Sequence, residues 1–147
     1  MKKEYGFSLL ELLIVVAIIL IIATIAIPSL LRSREAANES SAVANVRTMN
    51  TAETTYLSGS GQNYGAISDL INAGLIDVRF NSAVSGYSFI ISNSGSNYTA
   101  TAYPTDPNTG RYGYYSLPDA VIRYDNASGA PNCAPCYPTG MSGSAVD

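Results

Sequence analysis

The 147-residue chain contains no histidine. Histidine is the commonest general base and the commonest metal ligand in proteins, so its absence counts against most hydrolytic and metal-dependent sites. The sequence also lacks a nucleophile–base pair, a glycine-rich phosphate loop and a paired-carboxylate site. Without histidine, a catalytic serine would need an unusual base. We therefore predict that the protein is not an enzyme, and we predict no cofactor and no metal.

Charged residues are also scarce, at 13% of the chain, and the formal net charge is −3. Removing residues 1–6 would take away Lys2, Lys3 and Glu4, a net +1, and leave −4. An acidic chain without a basic run is a poor generic binder of nucleic acid, so no specific nucleic-acid partner is evident. Ser, Thr, Asn, Gly and Tyr dominate the region after residue 31, a composition typical of strands and loops.

One long apolar run, residues 7–31, stands out from this polar background. As a helix its 25 residues would extend over about 37 Å, and a bilayer hydrocarbon core is about 30 Å thick. We therefore predict one membrane-spanning helix here, with the basic N-terminus cytoplasmic and the C-terminal domain outside the inner membrane. A secretory signal peptide cleaved after Ala26 is the alternative, but a glutamate inside its apolar core would be unusual.

Two residues distinguish this run from an ordinary membrane anchor. Glu11 is its one charged residue, and a carboxylate at the centre of a membrane helix costs roughly 2.5–3.5 kcal/mol. The helix dipole lowers that cost near the N-terminus, so Glu11 either reaches the headgroups or awaits a positive partner. Pro28 removes the hydrogen bond to the Thr24 carbonyl and therefore predicts a bend.

The helical pattern continues beyond the apolar run. Apolar residues recur at steps of four, three, three and four, which places them on one helix face; they are Ala42, Val46, Met49, Ala52 and Tyr56. We predict one helix over about 7–57, bent at Pro28, whose amphipathic half at 32–57 packs on a sheet. A short helix or turn is expected at 68–74.

The remaining sequence is typical of β-strands joined by turns. Four segments alternate or are rich in strand-forming residues, namely 87–91, 98–103, 112–117 and 121–124. Short connections favour an antiparallel arrangement, so the domain of residues 32–147 is predicted to be α+β, with a sheet of about four strands over about 87–124. Residues 125–147 are predicted to form an irregular tail.

The two cysteines, Cys133 and Cys136, lie in this tail as a C-x-x-C pair. Outside the inner membrane the environment is oxidising, so we predict a structural disulfide. A redox role is the alternative, although neither a helix N-terminus nor a basic neighbour is visible to lower a thiol pKa. Residues 106–110, with Asp119 and Asp125, offer oxygen ligands for calcium, but we favour a turn, because Asp, Asn, Pro and Gly are typical turn residues.

The N-terminal residues resemble the class III signal of type IV pilins and pseudopilins. The resemblance covers about the first thirty residues. It is carried by a basic leader that ends at a glycine, Lys2-Lys3-Glu4-Tyr5-Gly6, and by the start of the apolar run, Phe7-Ser8-Leu9-Leu10-Glu11. It continues along the apolar run as far as Pro28. It implies that a membrane prepilin peptidase removes residues 1–6 by cutting between Gly6 and Phe7 and methylates the new Phe7 amine. It further implies that Glu11 pairs with the Phe7 amine of a neighbouring subunit and that Pro28 is the helix kink.

The same resemblance implies a type IV pilin-like fold and the role of a structural subunit. Such a subunit polymerises with identical subunits through its N-terminal helix into a helical surface filament that serves adhesion, motility or DNA uptake. Its partners would be the prepilin peptidase, which is also the N-methyltransferase, and the inner-membrane pilus assembly machinery. A pseudopilin of a type II secretion system is one alternative, and a membrane-anchored binding or redox domain that never polymerises is another.

Overall fold

The computed structural model of the protein describes residues 6–60, 63–126 and 144–146. The chain divides into two compact units, Met1–Ser33 and Arg34–Asp147. Helix α1 (Leu9–Ser60) has 52 residues; it begins in the first unit and ends in the second. It starts at Leu9 rather than Phe7 because Ser8 caps it, and it ends at Ser60 rather than near residue 57.

In the first unit, α1 is apolar on every side. Seventeen large apolar side chains between Phe7 and Leu31 are each between 46% and 81% exposed. By length and composition this helix is able to cross a membrane. The few hydroxyls bond to their own helix: Thr24 Oγ1 donates to the Leu20 carbonyl at 2.7 Å. Such a segment needs an apolar environment to cover it.

In the second unit, the predicted apolar stripe of α1 packs on a sheet. The side chains of Ala42, Val46, Met49 and Ala52 are all buried, and Tyr56 is half-buried. They join one core with Leu70 and with the inward-facing residues of the strands. The four-three-three-four spacing therefore predicted the packing face correctly, because it follows the helical repeat.

A short connection joins α1 to the sheet. Helix α2 (Ile67–Asn72) confirms the expected element at 68–74, and Gly74 follows with φ +68°, the left-handed conformation that glycine adopts without strain. A 3₁₀ turn, Val78–Asn81, then places Phe80 in the core, where its ring packs edge-on against that of Phe89 at 5.4 Å between centroids.

The sheet is antiparallel and has five strands in sequential order. They are β1 (Tyr87–Ser94), β2 (Asn97–Pro104), β3 (Tyr112–Ser116), β4 (Ile122–Asn126) and β5 (Ser144–Ala145). The α+β prediction of a long helix on an antiparallel sheet is confirmed. The sheet extends beyond the predicted four strands, because β5, which is only two residues long, pairs Ala145 with Arg123 of β4. The predicted irregular tail therefore contains a strand. The sequence did not reveal it, because two residues are too few to show an alternation of polar and apolar side chains.

Candidate functional site

The candidate site lies at the beginning of α1 and contains the predicted cleavage position. Gly6 and Phe7 are exposed and non-helical, and Phe7 is 78% exposed. Apart from Gly6 and its chain neighbours, no described residue has a heavy atom within 4 Å of the position that a Cβ on Gly6 would occupy. The Gly6–Phe7 peptide bond is therefore in open, irregular backbone, which is the form of substrate that a peptidase can bind.

Ser8 is the N-cap of α1 and forms a capping box with Glu11. The Ser8 hydroxyl oxygen accepts the backbone N–H of Leu10 at 3.3 Å, and Glu11 Oε2 accepts the backbone N–H of Ser8 at 3.0 Å. The Leu12 N–H donates to the Ser8 carbonyl at 3.2 Å. These bonds satisfy backbone donors that a helix leaves unpaired at its N-terminus.

The structure thus gives Glu11 a partner that the sequence interpretation missed. Glu11 is exposed and lies in the first turn, where the helix dipole favours a negative charge. Its contact is with Ser8, whereas the sequence interpretation had Glu11 reach the headgroups or await a positive partner. The signal was present as the S-x-x-E pattern of residues 8–11, which is typical of capping boxes. A cut between Gly6 and Phe7 would create a positive amine one residue before this cap.

Pro28 is remote from these residues. It lies inside α1, 17 residues after Glu11, which corresponds to about 26 Å along a helix. The helix continues on both sides of Pro28. Pro28 therefore does not belong to the N-terminal site, and the bend that we expect there stays a prediction.

The alternative sites receive no support from the described residues. Cys133 and Cys136 lie outside those residues, so their disulfide stays a prediction. Asp106 Oδ1 accepts the Asn108 N–H at 3.0 Å, as in an ordinary turn. Asp119 pairs with Arg123 at 2.6 Å, and the hydrogen bond from Arg123 lowers the pKa of the Asp119 carboxyl. Within 6–60, 63–126 and 144–146, no three acidic or cysteine side chains group as metal ligands.

Comparisons with known proteins agree on the N-terminal segment. Residues 1–27 match the family described as "Prokaryotic N-terminal methylation motif". The type IV major pilin protein of Myxococcus xanthus is 43% identical over 56 residues, which are 38% of this chain and 26% of that protein. The type IV wide pilus major component of Thermus thermophilus is 54% identical over 39 residues, 26% of this chain and 30% of that protein.

These matches are confined to part of each protein. The aligned regions span no more than 30% of the length of either curated relative. No solved structure matches the chain. The matched motif includes the Gly6–Phe7 junction, Ser8 and Glu11, whose geometry is described above. Residues 1–27 of the chain therefore carry the N-terminal methylation motif, and part of the chain is similar to part of each of two type IV pilus proteins.

Proposed function

We propose that the protein is a structural subunit of a type IV pilus and that it polymerises through α1 into a surface filament. The observation that carries this proposal is Glu11, a single carboxylate at the start of the otherwise apolar, exposed segment 7–31, within the methylation motif. In an ordinary membrane anchor, such a charge would only raise the free energy of insertion.

Processing supplies the positive partner for Glu11. A prepilin peptidase hydrolyses the Gly6–Phe7 bond, so that residues 1–6 leave with a new carboxylate on Gly6 and the shortened chain begins with an ammonium on Phe7. The same enzyme methylates that amine, and the methylated amine keeps its positive charge. The exposed, non-helical backbone at Gly6 and Phe7 is consistent with this step.

During assembly, Glu11 then exchanges the Phe7 ammonium of its own chain for that of a neighbouring subunit. In the membrane, the Phe7 ammonium of a chain neutralises its own Glu11; in the filament, Glu11 pairs with the Phe7 ammonium of a neighbouring subunit. A paired buried carboxylate costs much less free energy than a lone one. The apolar surface of residues 7–31 leaves lipid for a bundle of identical helices, so neither the apolar surface nor the charge is exposed to water.

This proposal fixes the location and the partners. The precursor is a single-pass protein of the inner membrane, held by residues 7–31, and the processed subunit becomes part of an extracellular filament. Its partners are identical subunits, the prepilin peptidase and the inner-membrane assembly machinery. The same N-terminus would serve a pseudopilin of a type II secretion system, but both similar proteins are named as major pilus components, which favours a pilus subunit.

The test is the substitution Glu11→Gln in the native cell. We expect sheared surface filaments to fall by more than about tenfold while the processed protein accumulates in the membrane, because a Phe7 ammonium left unpaired in the filament core costs several kcal/mol. Glu35→Gln, on the same helix beyond the apolar run, is the matched control and should assemble normally. Equal filament yields from Glu11→Gln and the control would contradict the proposal.

A further inference from the structure

Another glutamate of α1, Glu53, is completely buried in the folded domain, at 0% exposure. Its Oε2 atom accepts the backbone N–H of Gly65 at 3.0 Å. Its Oε1 atom is also buried and has no hydrogen-bond partner among the residues that the structure describes. Buried carboxylate oxygens are normally satisfied, and an unsatisfied one is costly, most of all when the group is charged.

The described groups that shift the pKa of Glu53 offer no compensating charge. Burial raises the pKa of the Glu53 carboxyl; the Gly65 N–H opposes this shift, and the negative charge of Asp69 on α2 adds to it. On β2, the pKa of the Tyr98 hydroxyl is raised by burial and by the nearby Glu53. The described residues that shift the pKa of Glu53 include no cation. Desolvation therefore outweighs the one favourable hydrogen bond.

Glu53 also holds a particular segment, the non-helical connection of residues 63–66 that precedes α2. Gly65 lies tightly between two elements: a Cβ there would come within 3.1 Å of the Tyr56 ring and 3.2 Å of the Asp69 Cβ. The connection is otherwise held by bonds to the β1–β2 turn and α2. Tyr64 donates its N–H to the Gly95 carbonyl at 3.2 Å, and its carbonyl accepts Asn93 Nδ2 at 2.9 Å.

We propose that Glu53 is a proton-controlled latch: as a neutral acid it keeps the 63–66 connection docked on α1 through Gly65, and loss of its proton to solvent releases that connection. A neutral carboxylic acid tolerates the dry site, where one unpaired oxygen costs far less than an uncompensated charge. After deprotonation the carboxylate lies beside Asp69 without a cation, and moving the connection aside lets water reach it.

The direction of the pH effect follows from linkage. The pKa of Glu53 is raised in the docked state relative to an opened, solvated state. The docked state is therefore fully favoured below the ordinary glutamate pKa of about 4.3. It is progressively lost as pH rises from that value through the raised pKa, and opening becomes about tenfold more favourable for each pH unit within this window.

The latch can be tested on the full-length chain in detergent micelles. NMR of ¹³C-labelled glutamate would follow the Glu53 carboxyl, and amide hydrogen exchange would give the protection factor of Gly65, both between about pH 4 and 8. We expect Glu53 to titrate above the ordinary glutamate value and the Gly65 protection to fall across that titration. Glu53→Gln, which mimics the neutral acid, should keep Gly65 protected at every pH.

Two further variants separate the latch from a general loss of stability. Asp69→Asn should move the Glu53 titration and the loss of protection together to lower pH, since it removes the negative charge that raises the pKa of Glu53. Glu35→Gln should leave both unchanged. The proposal is overturned if Glu53 in the wild-type chain titrates at its ordinary pKa, or if Gly65 protection in Glu53→Gln keeps the wild-type pH dependence. The wild-type and Asp69→Asn titrations decide the question even if Glu53→Gln does not fold.

Discussion

At the residue scale, Ala120 adopts a backbone conformation that favours glycine. Its φ is +57°, in the turn between β3 and β4, where its N–H donates to the Leu117 carbonyl at 2.8 Å. A Cβ in this region costs about 1–2 kcal/mol, and the greater flexibility of unfolded glycine offsets part of the gain. We expect Ala120→Gly to raise the free energy of unfolding by about 0.5–1 kcal/mol in denaturant titration.

Ala83→Gly is the control for this prediction. Ala83 is exposed, and it is not among the described residues with positive φ. Glycine there should only increase the entropy of the unfolded chain and lower stability slightly. If Ala120→Gly is no more stable than Ala83→Gly, the left-handed turn is not strained.

Gly110 shows the opposite case, a position where no Cβ fits. A Cβ there would collide with the hydroxyl of Tyr87, whose ring is fully buried and whose Oη donates to the Tyr112 carbonyl at 2.8 Å. We expect Gly110→Ala to lower the free energy of unfolding by about 2 kcal/mol, because Tyr87 must shift or lose its bond. Gly59→Ala, in an exposed helical position with no heavy atom within 4 Å, should be neutral or stabilising.

The functional residues were only partly predictable at this scale. Glu11 was evident because a lone charge in an apolar run is conspicuous in the sequence. Ser8 was missed as its cap because the helix was expected to begin at Phe7, one residue before Ser8. The burial of Glu53 could not be anticipated from its polar character: Glu53 follows the buried Ala52, and the connection that covers it comes from residues 63–66, whose position depends on tertiary packing.

At the scale of elements, a buried polar residue ties α1 to the sheet. Asn50 accepts the Tyr98 hydroxyl of β2 at 3.0 Å and donates to the Ser116 hydroxyl of β3 at 2.8 Å. Asn50→Ala would leave the buried Tyr98 hydroxyl without its acceptor and the buried Ser116 hydroxyl without its donor, so we expect a loss of about 2–4 kcal/mol in unfolding free energy. Thr51→Ala, whose exposed hydroxyl bonds only within α1 to the Arg47 carbonyl, should change stability by less than about 0.5 kcal/mol.

The loss of stability in Asn50→Ala would also show whether polar contacts help to position α1 on the sheet. A loss no larger than that of Thr51→Ala would mean that apolar packing alone fixes α1 on the sheet. The sequence predicted this packing well, since the stripe from Ala42 to Ala52 and the alternation in β2 are local patterns. It could not predict β5, whose partner Arg123 lies more than twenty residues earlier in the chain.

At the scale of the whole molecule, the composition predicted that an apolar N-terminal segment and a polar folded domain differ in the environment that each needs. An apolar segment with one carboxylate suits lipid or a helical bundle, and a Tyr-, Ser- and Thr-rich domain of low charge suits an α+β fold. The fold of the second unit and the methylation motif are confirmed. Polymerisation depends on contacts between copies of the chain, which one chain cannot display, and it therefore stays a proposal.

The most direct test of the pilus-subunit proposal is the mass of the intact protein and of its N-terminal peptide in sheared surface filaments, kept separate from membranes. The account predicts an abundant chain in the filaments that begins at N-methylated Phe7 and lacks residues 1–6. A chain that begins at Met1 or after Ala26, or a processed chain that never leaves the membrane fraction, would contradict it.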